Sequence, residues 1–402
     1  MNIAVYHDQP SGGARRALHG FCAQLVKRHR VDAYTLSTAD QTMLRDEDVF
    51  SSVTRLPYAT RRPIRLGVWW NDVRRLADLR TLERVNAEAA ALIDARQYDV
   101  VLVDACRFTY VPLVLRALRT PTVYYCHGGS WHLSRRWGTP ASAYERARRL
   151  WHLPFERART RWLRRAEIEN AGRANVIATN STYSRGRIRE TYGRDAVVCP
   201  PGVAFAPATA SANHGHVISV GALEAHKGFD FVVEALATIR AGSRPPLHII
   251  ANDGNPLVRA RLEALARARR VDLRIRILPS AAELEEELST ALLFAYGAHA
   301  EPLGLAPLEA MARALPVVAV GEGGVPETVA HGRTGYLTDR DPAAFGARVA
   351  LIIESPRLRD ALGAEGRETV IREWAWPMRA AALESILSAV GAPEHRVPAY
   401  VG

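Results

Sequence analysis

The chain has 402 residues, of which 48% are hydrophobic, as expected of a globular protein with two or three domains. Its formal net charge of +11 favours an anionic partner, such as a phosphorylated substrate, an anionic lipid surface or a nucleic acid. Apolar runs fall well short of the ~18 residues of a membrane-spanning helix, and the N-terminus turns polar too early for a signal peptide, so we expect a cytoplasmic protein.

Short apolar runs alternate with longer amphipathic stretches in the first half of the chain. The strands predicted there are Asn2–His7, Val31–Leu36, Val100–Val103, Thr122–Cys126, Asn175–Thr179 and Ala196–Cys199. Near-continuous apolar strands joined by helical crossovers are typical of a parallel sheet that is covered by helices on both faces. This half therefore predicts one doubly wound α/β domain.

A second series of strands follows a linker near residues 200–215 that is rich in Pro, Ala and small polar residues. Its predicted strands are His216–Val220, Leu247–Ala251, Arg274–Leu278, Ala291–Tyr296 and Val317–Val320. The pattern predicts a second parallel sheet, and a last helix is expected over Met378–Val390.

The first predicted strand leads into two glycines, Gly12 and Gly13, and then into a helical stretch over Ala14–His29. Glycines at such a turn let a ligand approach the backbone, and the helix N-terminus offers free N–H donors that suit a phosphate. The pair matches neither GxGxxG nor GxxxxGK[ST], and a simple tight turn explains it equally well.

His127 follows the strand Thr122–Cys126 and precedes two glycines. Ligands of doubly wound sheets bind at the carboxyl ends of the strands, where a histidine can donate to a hydroxyl or stabilise charge. An ordinary loop histidine is the alternative interpretation.

Gly221 and Lys227 lie in the loop after the first strand of the second series. Lys227 is one of two lysines among 53 basic residues. A compact ammonium is a point charge that the planar guanidinium of arginine does not replace, so we expect Lys227 to bind a phosphate. The alternative is an exposed lysine at a helix start.

Glu301 and Glu309 are separated by seven residues, with Gly304 in the turn between them. Because Pro307 is tolerated in the first turn of a helix, Glu301 is expected in a loop and Glu309 about one turn into the helix. One carboxylate would bind the hydroxyls of a sugar and the other those of a ribose. A diphosphate would lie over the backbone N–H groups between them.

Two further motifs continue this element, Gly323-Gly-Val-Pro-Glu327 and His331-Gly-Arg-Thr-Gly335. Together they resemble the retaining nucleotide-sugar glycosyltransferases of family 4, and the resemblance extends over nearly the whole chain. It implies the GT-B fold, in which two Rossmann-like doubly wound domains face each other across a cleft. The implied division is an acceptor-binding domain over 1–203, a nucleotide-sugar-binding domain over 204–375, and a C-terminal helix and tail over 376–402 that pack back on the first domain.

The resemblance also implies a role for each site residue. Gly12 and Gly13 would line the donor phosphate or the acceptor entrance, and His127 would contact the donor sugar. Lys227, beside Gly221, would neutralise the diphosphate. Glu301 would hold the sugar hydroxyls and the backbone at Gly304 and Leu305 the distal phosphate, while Glu309 would bind the ribose. Two positions depart from the family pattern, Ala222 where arginine is frequent and Ala251-Asn-Asp-Gly254 where glycines are usual.

We predict neither a metal nor a cofactor. The four cysteines lack the spacing of metal ligands and are expected in the core. Asp339-Arg-Asp341 resembles the Asp-x-Asp element of metal-dependent glycosyltransferases, but it is interpreted as the start of a helix. Negative charge on the departing phosphate would be met by Lys227 and helix N-termini.

The segment 131–165 carries ten arginines and two glutamates, interleaved with tryptophan and phenylalanine. This composition suits an anionic membrane surface, and an ordinary helix with solvated arginines explains it equally well. The predicted function is transfer of a hexose from a UDP- or GDP-linked donor to a glycan, lipid-linked or small-molecule acceptor, in the cytoplasm or peripherally on the inner face of the membrane. The alternatives are another GT-B nucleotide-sugar enzyme, such as an epimerase, and a non-catalytic basic protein that binds membrane or nucleic acid. Because nucleic acid fits the charge alone and no recognition motif accompanies it, no nucleic-acid partner is predicted.

Overall fold

The computed structural model describes residues 1–10, 12–42, 44–61, 68–129, 143–205, 215–251, 254–277 and 279–392. The side chains of 68–73, 75, 76, 143–156 and 281 are not described. Contacts divide the chain into two compact units. The N-terminal unit comprises Met1–Asn180, Ser184–Pro201 and Arg379–Gly402, and the C-terminal unit comprises Ser181–Tyr183 and Gly202–Met378.

The N-terminal unit contains a seven-stranded parallel sheet in the order β3-β2-β1-β4-β5-β6-β7. Its strands are β1 (Asn2–Asp8), β2 (Arg30–Leu36), β3 (Ser52–Leu56), β4 (Val100–Cys106), β5 (Thr122–Cys126), β6 (Val176–Thr179) and β7 (Val197–Val198). The connecting helices are α1 (Gly13–Leu25), α2 (Val68–Asp94), α3 (Ala143–Arg173) and α4 (Thr182–Tyr192). The central strands β1, β4 and β5 are almost wholly buried, as expected for a sheet that is covered on both faces.

The C-terminal unit contains a six-stranded parallel sheet in the order β10-β9-β8-β11-β12-β13. Its strands are β8 (His216–Val220), β9 (Leu247–Ala251), β10 (Leu273–Ile277), β11 (Ala291–Tyr296), β12 (Val317–Val320) and β13 (Gly335–Thr338). Its helices are α5 (Phe229–Ala237), α6 (Pro256–Arg269), α7 (Ala281–Ser289), α8 (Leu305–Met311), α9 (Pro342–Glu354) and α10 (Pro356–Glu373). The two sheets confirm the predicted α/β class with two doubly wound Rossmann-like units.

The last helix, α11 (Trp376–Gly391), passes from one unit to the other. From Arg379 onward its residues belong to the N-terminal unit, where Glu384 pairs with His29 at 2.9 Å and Ser388 contacts the sulfur of Met1. The unit boundaries fall at 201/202 and 378/379, and the sequence predicts domain boundaries at 203/204 and 375/376.

Several local predictions agree with the structure. Asp341 is the N-cap of α9, and its carboxylate accepts the N–H of Ala344 at 2.8 Å, so the Asp-Arg-Asp sequence does start a helix. Cys22, Cys106, Cys126 and Cys199 are all buried free thiols. Within the described residues, no helix combines the length and the hydropathy needed to cross a membrane.

Candidate active site

The predicted donor-binding residues of the C-terminal unit lie at the carboxyl ends of two neighbouring strands. The loop after β8 carries Gly221 and Lys227, and the loop after β11 carries Glu301. Because β8 and β11 pair directly, two loops that are 74 positions apart in sequence meet at one edge of the sheet.

Lys227 and Glu301 form an ion pair in which the lysine Nζ donates to Oε2 of Glu301 at 2.8 Å. Their side chains are 17% and 16% exposed, so the pair is largely withdrawn from water yet still reachable. Tyr296, at the end of β11, is also hydrogen-bonded to Glu301. Burial, followed by the nearby charge of Glu301, holds the pKa of Tyr296 well above its ordinary value, so the hydroxyl stays protonated and donates a hydrogen bond to the carboxylate.

The loops that carry this ion pair approach each other backbone to backbone. Gly228 has a φ of 64°, and a Cβ at that position would lie 1.9 Å from the carbonyl oxygen of Gly297. The N–H of His299 donates to the carbonyl of His226 at 2.8 Å. The aliphatic part of Lys227 runs past Gly221, where a Cβ would lie 3.5 Å from the lysine Cδ. Only glycine at 228 permits this approach, which fixes the separation of the two charged side chains.

Gly304, Leu305 and Glu309 belong to the following turn and helix. Gly304 is the N-cap of α8 with a φ of 94°, and Leu305 is the first residue of that helix. Glu309 lies in its second turn and is partly buried. The carbonyl of Glu309 accepts a hydrogen bond from Arg313 at 2.9 Å. The predicted position of each residue is therefore observed, while their contacts with a donor stay predictions.

The loop with two glycines after β12 wraps around the segment that begins at Glu301. The N–H of Gly324 donates to the carbonyl of Glu301 at 2.8 Å, and a Cβ on Gly324 would lie 2.2 Å from the carbonyl oxygen of Pro302. Glu327, at the end of the loop, accepts the N–H groups of Thr182 and Tyr183 at 2.8 Å each. These three residues all belong to the C-terminal unit.

In the N-terminal unit, His127 is held by a buried carboxylate that the sequence interpretation missed. Its Nε2 lies 3.1 Å from a carboxylate oxygen of Asp104, near the end of β4. The side-chain amide of Gln9, just beyond β1, also donates to Asp104. The amide of Asn180 donates to the carbonyl of His127 at 3.2 Å. Asp104 therefore connects the carboxyl ends of β1, β4 and β5 and fixes the orientation of a histidine that is 13% exposed.

Gly12 and Gly13 begin α1 beside a buried cluster of charges. Gly12 is the N-cap without a side-chain cap, and the space where its Cβ would lie is open. Arg15, in the first turn, donates to Asp46 at 2.9 Å and to the carbonyl of Leu44. Because this guanidinium is fully buried and paired, the glycine backbone rather than Arg15 is the part of the turn that an anion can reach.

Asp46 is the centre of that cluster and also lies 3.2 Å from His7 and from His19. Burial alone would raise the pKa of Asp46, but the hydrogen bond with His19, the close approach of His7 and the charge of Arg15 outweigh it and hold the pKa far below its ordinary range. The carboxylate therefore stays ionised and balances the cations around the start of α1.

Three groups at the amino ends of β8 and β9 lie within reach of a shared metal ion, namely His216, His248 and Glu287. The two imidazole rings, however, stack nearly parallel with centroids 4.0 Å apart, so their in-plane lone pairs do not converge on one point. Glu287 is already paired with His248 at 2.6 Å and with Arg276 at 3.2 Å. This geometry fits an ion-pair network better than a metal centre.

Some predicted regions lie outside the described residues. They include residues 131–142 of the arginine-rich segment and residues 252 and 253 of the sequence Ala251-Asn-Asp-Gly254. Within the described part of the segment, Trp162 packs against the core of the N-terminal unit, whereas Arg157, Arg159, Arg161, Arg164 and Arg165 are exposed.

Two family models match consecutive parts of the chain. The model described as Glycosyltransferase Family 4 matches residues 11–206, and the model described as Glycosyl transferases group 1 matches residues 206–369. The chain belongs to glycosyltransferase family 4. The predicted family is thereby confirmed over both units.

Curated relatives of the chain include a mannosyltransferase and a sugar-phosphate synthase. A GDP-mannose-dependent alpha-(1-6)-phosphatidylinositol monomannoside mannosyltransferase of Mycolicibacterium smegmatis is 32% identical over 54% of this chain and 62% of its own length. Alpha-maltose-1-phosphate synthase of the same organism is 39% identical over 30% of this chain and 33% of its own length. The aligned regions thus span less than two thirds of these relatives.

Solved structures share the fold over nearly the whole chain. Sucrose-phosphate synthase from Thermosynechococcus elongatus has a TM-score of 0.71 and 18% identity, and it covers 96% of this chain and 98% of its own. Anabaena HepE, in complex with UDP and glucose, has a TM-score of 0.71 and 18% identity over 97% of this chain and all of its own. The predicted GT-B fold is confirmed, and none of these names supports an epimerase or a non-catalytic adaptor.

Proposed function

We propose that this protein is a retaining hexosyltransferase that takes a UDP- or GDP-linked hexose and transfers the sugar to a glycan, lipid-linked or small-molecule acceptor. The C-terminal unit would bind the donor and the N-terminal unit the acceptor. The observation that carries the proposal is the ion pair of Lys227 with Glu301, next to the start of α8, in a chain of glycosyltransferase family 4. GDP-mannose and UDP-glucose are the first donors to examine, because proteins similar to this one use or contain them.

The pair suits both charges that develop during sugar transfer. When the anomeric bond breaks, negative charge grows on the leaving diphosphate, and an ammonium fixed beside it stabilises that charge without reorganisation. Lys227 has three N–H donors, of which one binds Glu301, so the others remain for phosphate oxygens. Glu301 then serves two purposes, since it orients the lysine and presents a carboxylate oxygen to sugar hydroxyls. This mechanism requires no metal.

The residues of the N-terminal unit complete the proposal. His127, held by Asp104, would contact the donor sugar, and Gly12 and Gly13 would leave room for a phosphate or for the acceptor. The exposed arginines of α3 would bring the enzyme to an anionic membrane if the acceptor is lipid-linked, as it is in the name of the mannosyltransferase relative. We place the enzyme in the cytoplasm, peripherally on that surface.

The presence of only two lysines allows a direct test of the donor site before the acceptor is known. GDP-mannose and UDP-glucose are first screened by thermal shift, where a ligand at 100 times its Kd adds ~2.7 kcal/mol of stability. The protein is then reductively methylated with and without the donor that stabilises it, and both lysines are followed by mass spectrometry. We expect the donor to protect Lys227 at least tenfold and to leave Lys27 unprotected.

The matching variants are Lys227→Met and Lys27→Met, each measured for nucleoside diphosphate release. Lys227→Met should lower kcat by ~10²-fold or more, because the charge on the leaving group loses its partner. Lys27→Met should retain full activity, since Lys27 is exposed and its ammonium donates to Gln24 on the protein surface. A stable wild-type protein that no sugar nucleotide stabilises, or equal protection of both lysines, would refute the proposed function.

A further inference from the structure

The side chain of one arginine donates hydrogen bonds to the backbone of the loop that leads from β11 to Glu301. Arg340, in the turn after β13, donates from Nη1 to the carbonyl of Gly297 at 2.8 Å and from Nη2 to the carbonyl of Ala298 at 3.0 Å. The residues that follow these carbonyls contact two other loops: His299 contacts the loop that carries Lys227, and Glu301 contacts the loop after β12 that carries Gly324. The guanidinium thus fixes the start of the segment 297–301 at two successive backbone positions.

Arg340 is itself rigidly placed. Its Nε and Nη2 donate to the two carboxylate oxygens of Glu322 at 2.8 and 2.9 Å, and its Cζ lies 5.2 Å from the centre of the Phe231 ring. The edges of the planar fork are used by hydrogen bonds and one of its faces by an aromatic ring, and lysine has no equivalent of this geometry. In the described part of the chain, the hydrogen bonds of Arg340 go to Gly297, Ala298 and Glu322 and not to Lys227 or Glu301.

The segment needs such an anchor because its backbone is strained just before Glu301. Ala300 has a φ of 45°, a left-handed conformation that a residue with a Cβ disfavours. Its N–H faces Oε2 of Glu322 at 3.4 Å. Strained residues persist where the surroundings over-determine them, and here the same glutamate that fixes Arg340 also lies against the strained residue.

We propose that Arg340 is a positioning residue of the donor site, which acts through the backbone of 297–300 to keep Glu301 in register with Lys227. The proposal rests on the proposed function, since it concerns the geometry of that same site. Arg340 would touch neither the sugar nor the diphosphate. Its effect on catalysis would be that of a displaced Glu301, for which a shift of about 1 Å typically costs on the order of 10²-fold in rate.

The test compares Arg340→Met and Arg340→Lys with Arg348→Met. Arg348 is the matched control, because it also lies over an aromatic ring, Tyr336, at 4.9 Å, whereas among the described residues no hydrogen bond joins it to the segment 297–301. For each folded variant, kcat and the donor KM are measured with whichever of GDP-mannose and UDP-glucose the wild type uses. We expect both Arg340 variants to lose about 10²-fold in kcat/KM, and Arg348→Met to stay within twofold of the wild type.

The lysine variant separates positioning from direct phosphate binding. An ammonium would still attract a diphosphate but would not hold two carbonyls and a carboxylate together. If Arg340→Lys keeps wild-type kcat/KM, the positioning role is refuted. If the Arg340 variants only melt at a lower temperature while their folded fraction turns over normally, Arg340 is merely structural and the proposal is equally refuted.

A double-mutant cycle with Glu301→Ala gives an independent readout through donor affinity, measured by titration. Because Arg340 is proposed to act through Glu301, Arg340→Met should weaken donor binding at least tenfold in the wild type and less than threefold when Glu301 is already absent. An undiminished effect would overturn the proposal.

The failure of the proposed function and the failure of the Arg340 assignment are distinguishable. If the wild-type protein binds no sugar nucleotide at all, both are refuted. If the wild type binds a sugar nucleotide normally and the Arg340 variants are unaffected, only the Arg340 assignment is refuted.

Discussion

Lys227 and Glu301 neutralise each other at 2.8 Å, so a sugar nucleotide would meet a site whose net charge is small. If the proposal holds, the incoming diphosphate would gain most from the other donors of the lysine and from backbone N–H groups. A carboxylate beside the lysine would also disfavour free phosphate, because two negative groups would compete for one ammonium.

The proposed role of Glu309, the second carboxylate of the donor site, is to bind the ribose, and substitution tests it. If it binds the ribose, Glu309→Ala removes hydrogen bonds that exist in both the ground state and the transition state. We expect the donor KM to rise about 10- to 100-fold, as for loss of a hydrogen bond to a charged group, with kcat within a few-fold of the wild type. Steady-state kinetics against donor concentration measure this, with Glu286→Ala, an exposed glutamate on α7, as the control. An unchanged KM would remove Glu309 from the ribose site.

Asp46 sets a pH dependence of stability in the N-terminal unit. Its pKa is depressed in the folded protein, so its contribution to the free energy of unfolding is complete above the unfolded pKa of about 3.9 and is lost as the pH falls below it. Asp46→Asn leaves Arg15 and two histidines without their buried partner. We expect it to destabilise the protein by about 3–5 kcal/mol at pH 7.

The measurement is urea unfolding at pH 7, 5 and 3.5. The wild type should lose stability over the lowest interval, and the difference between wild type and Asp46→Asn should shrink there. Asp48→Asn, which changes an exposed carboxylate two residues away, should leave the curve within about 0.5 kcal/mol of the wild type. A constant difference between wild type and Asp46→Asn at all three pH values would contradict the assignment.

At the scale of elements, α3 is the helix on which the proposed membrane docking would depend. Its exposed arginines project from a helix whose Trp162 faces the core, so attraction to a bilayer would come from charge rather than from that aromatic ring. Replacing Arg157, Arg159, Arg161 and Arg164 by glutamine should weaken binding to anionic vesicles by about 1 kcal/mol per residue. Co-sedimentation at several salt concentrations measures this.

The control for this helix is a set of four exposed arginines on α6, namely Arg259, Arg261, Arg267 and Arg269. Their replacement by glutamine removes the same charge from the protein but leaves α3 intact. Equal losses in both variants would mean that net charge, and not the α3 surface, attracts the protein to vesicles.

The elements themselves were predictable where burial is complete. The bounds of β5, β8, β9, β11 and β12 agree with the predicted ones, because each is an apolar run with a distinct end. The series of predicted strands omits β3 and β13, which are edge strands with partly exposed residues and therefore carry a weaker apolar pattern. Helix α8 is only seven residues long, and the glutamate spacing rather than periodicity predicted it.

For the site, the sequence predicted residues but not their partners. Sequence spacing does not reveal that β11 lies next to β8, so the contact of Lys227 with Glu301 emerges only from the strand order. Tyr296 is the last residue of a predicted strand and Asp104 directly follows another, Val100–Val103, and neither residue forms part of a motif. Nothing in the sequence distinguishes Arg340, which follows β13, from the many other arginines of the chain. Its role is suggested by its hydrogen bonds to the carbonyls of Gly297 and Ala298.

At the scale of the whole molecule, the N-terminal unit is discontinuous in sequence. Residues from Arg379 onward belong to it, with Glu384 on His29 and Gly391 close to the carbonyl of Asp99. A ribosome synthesises these residues after the entire C-terminal unit. All segments of the C-terminal unit are therefore synthesised before the last segment of the N-terminal unit. The N-terminal unit, although it starts the chain, is complete only after α11 has been translated.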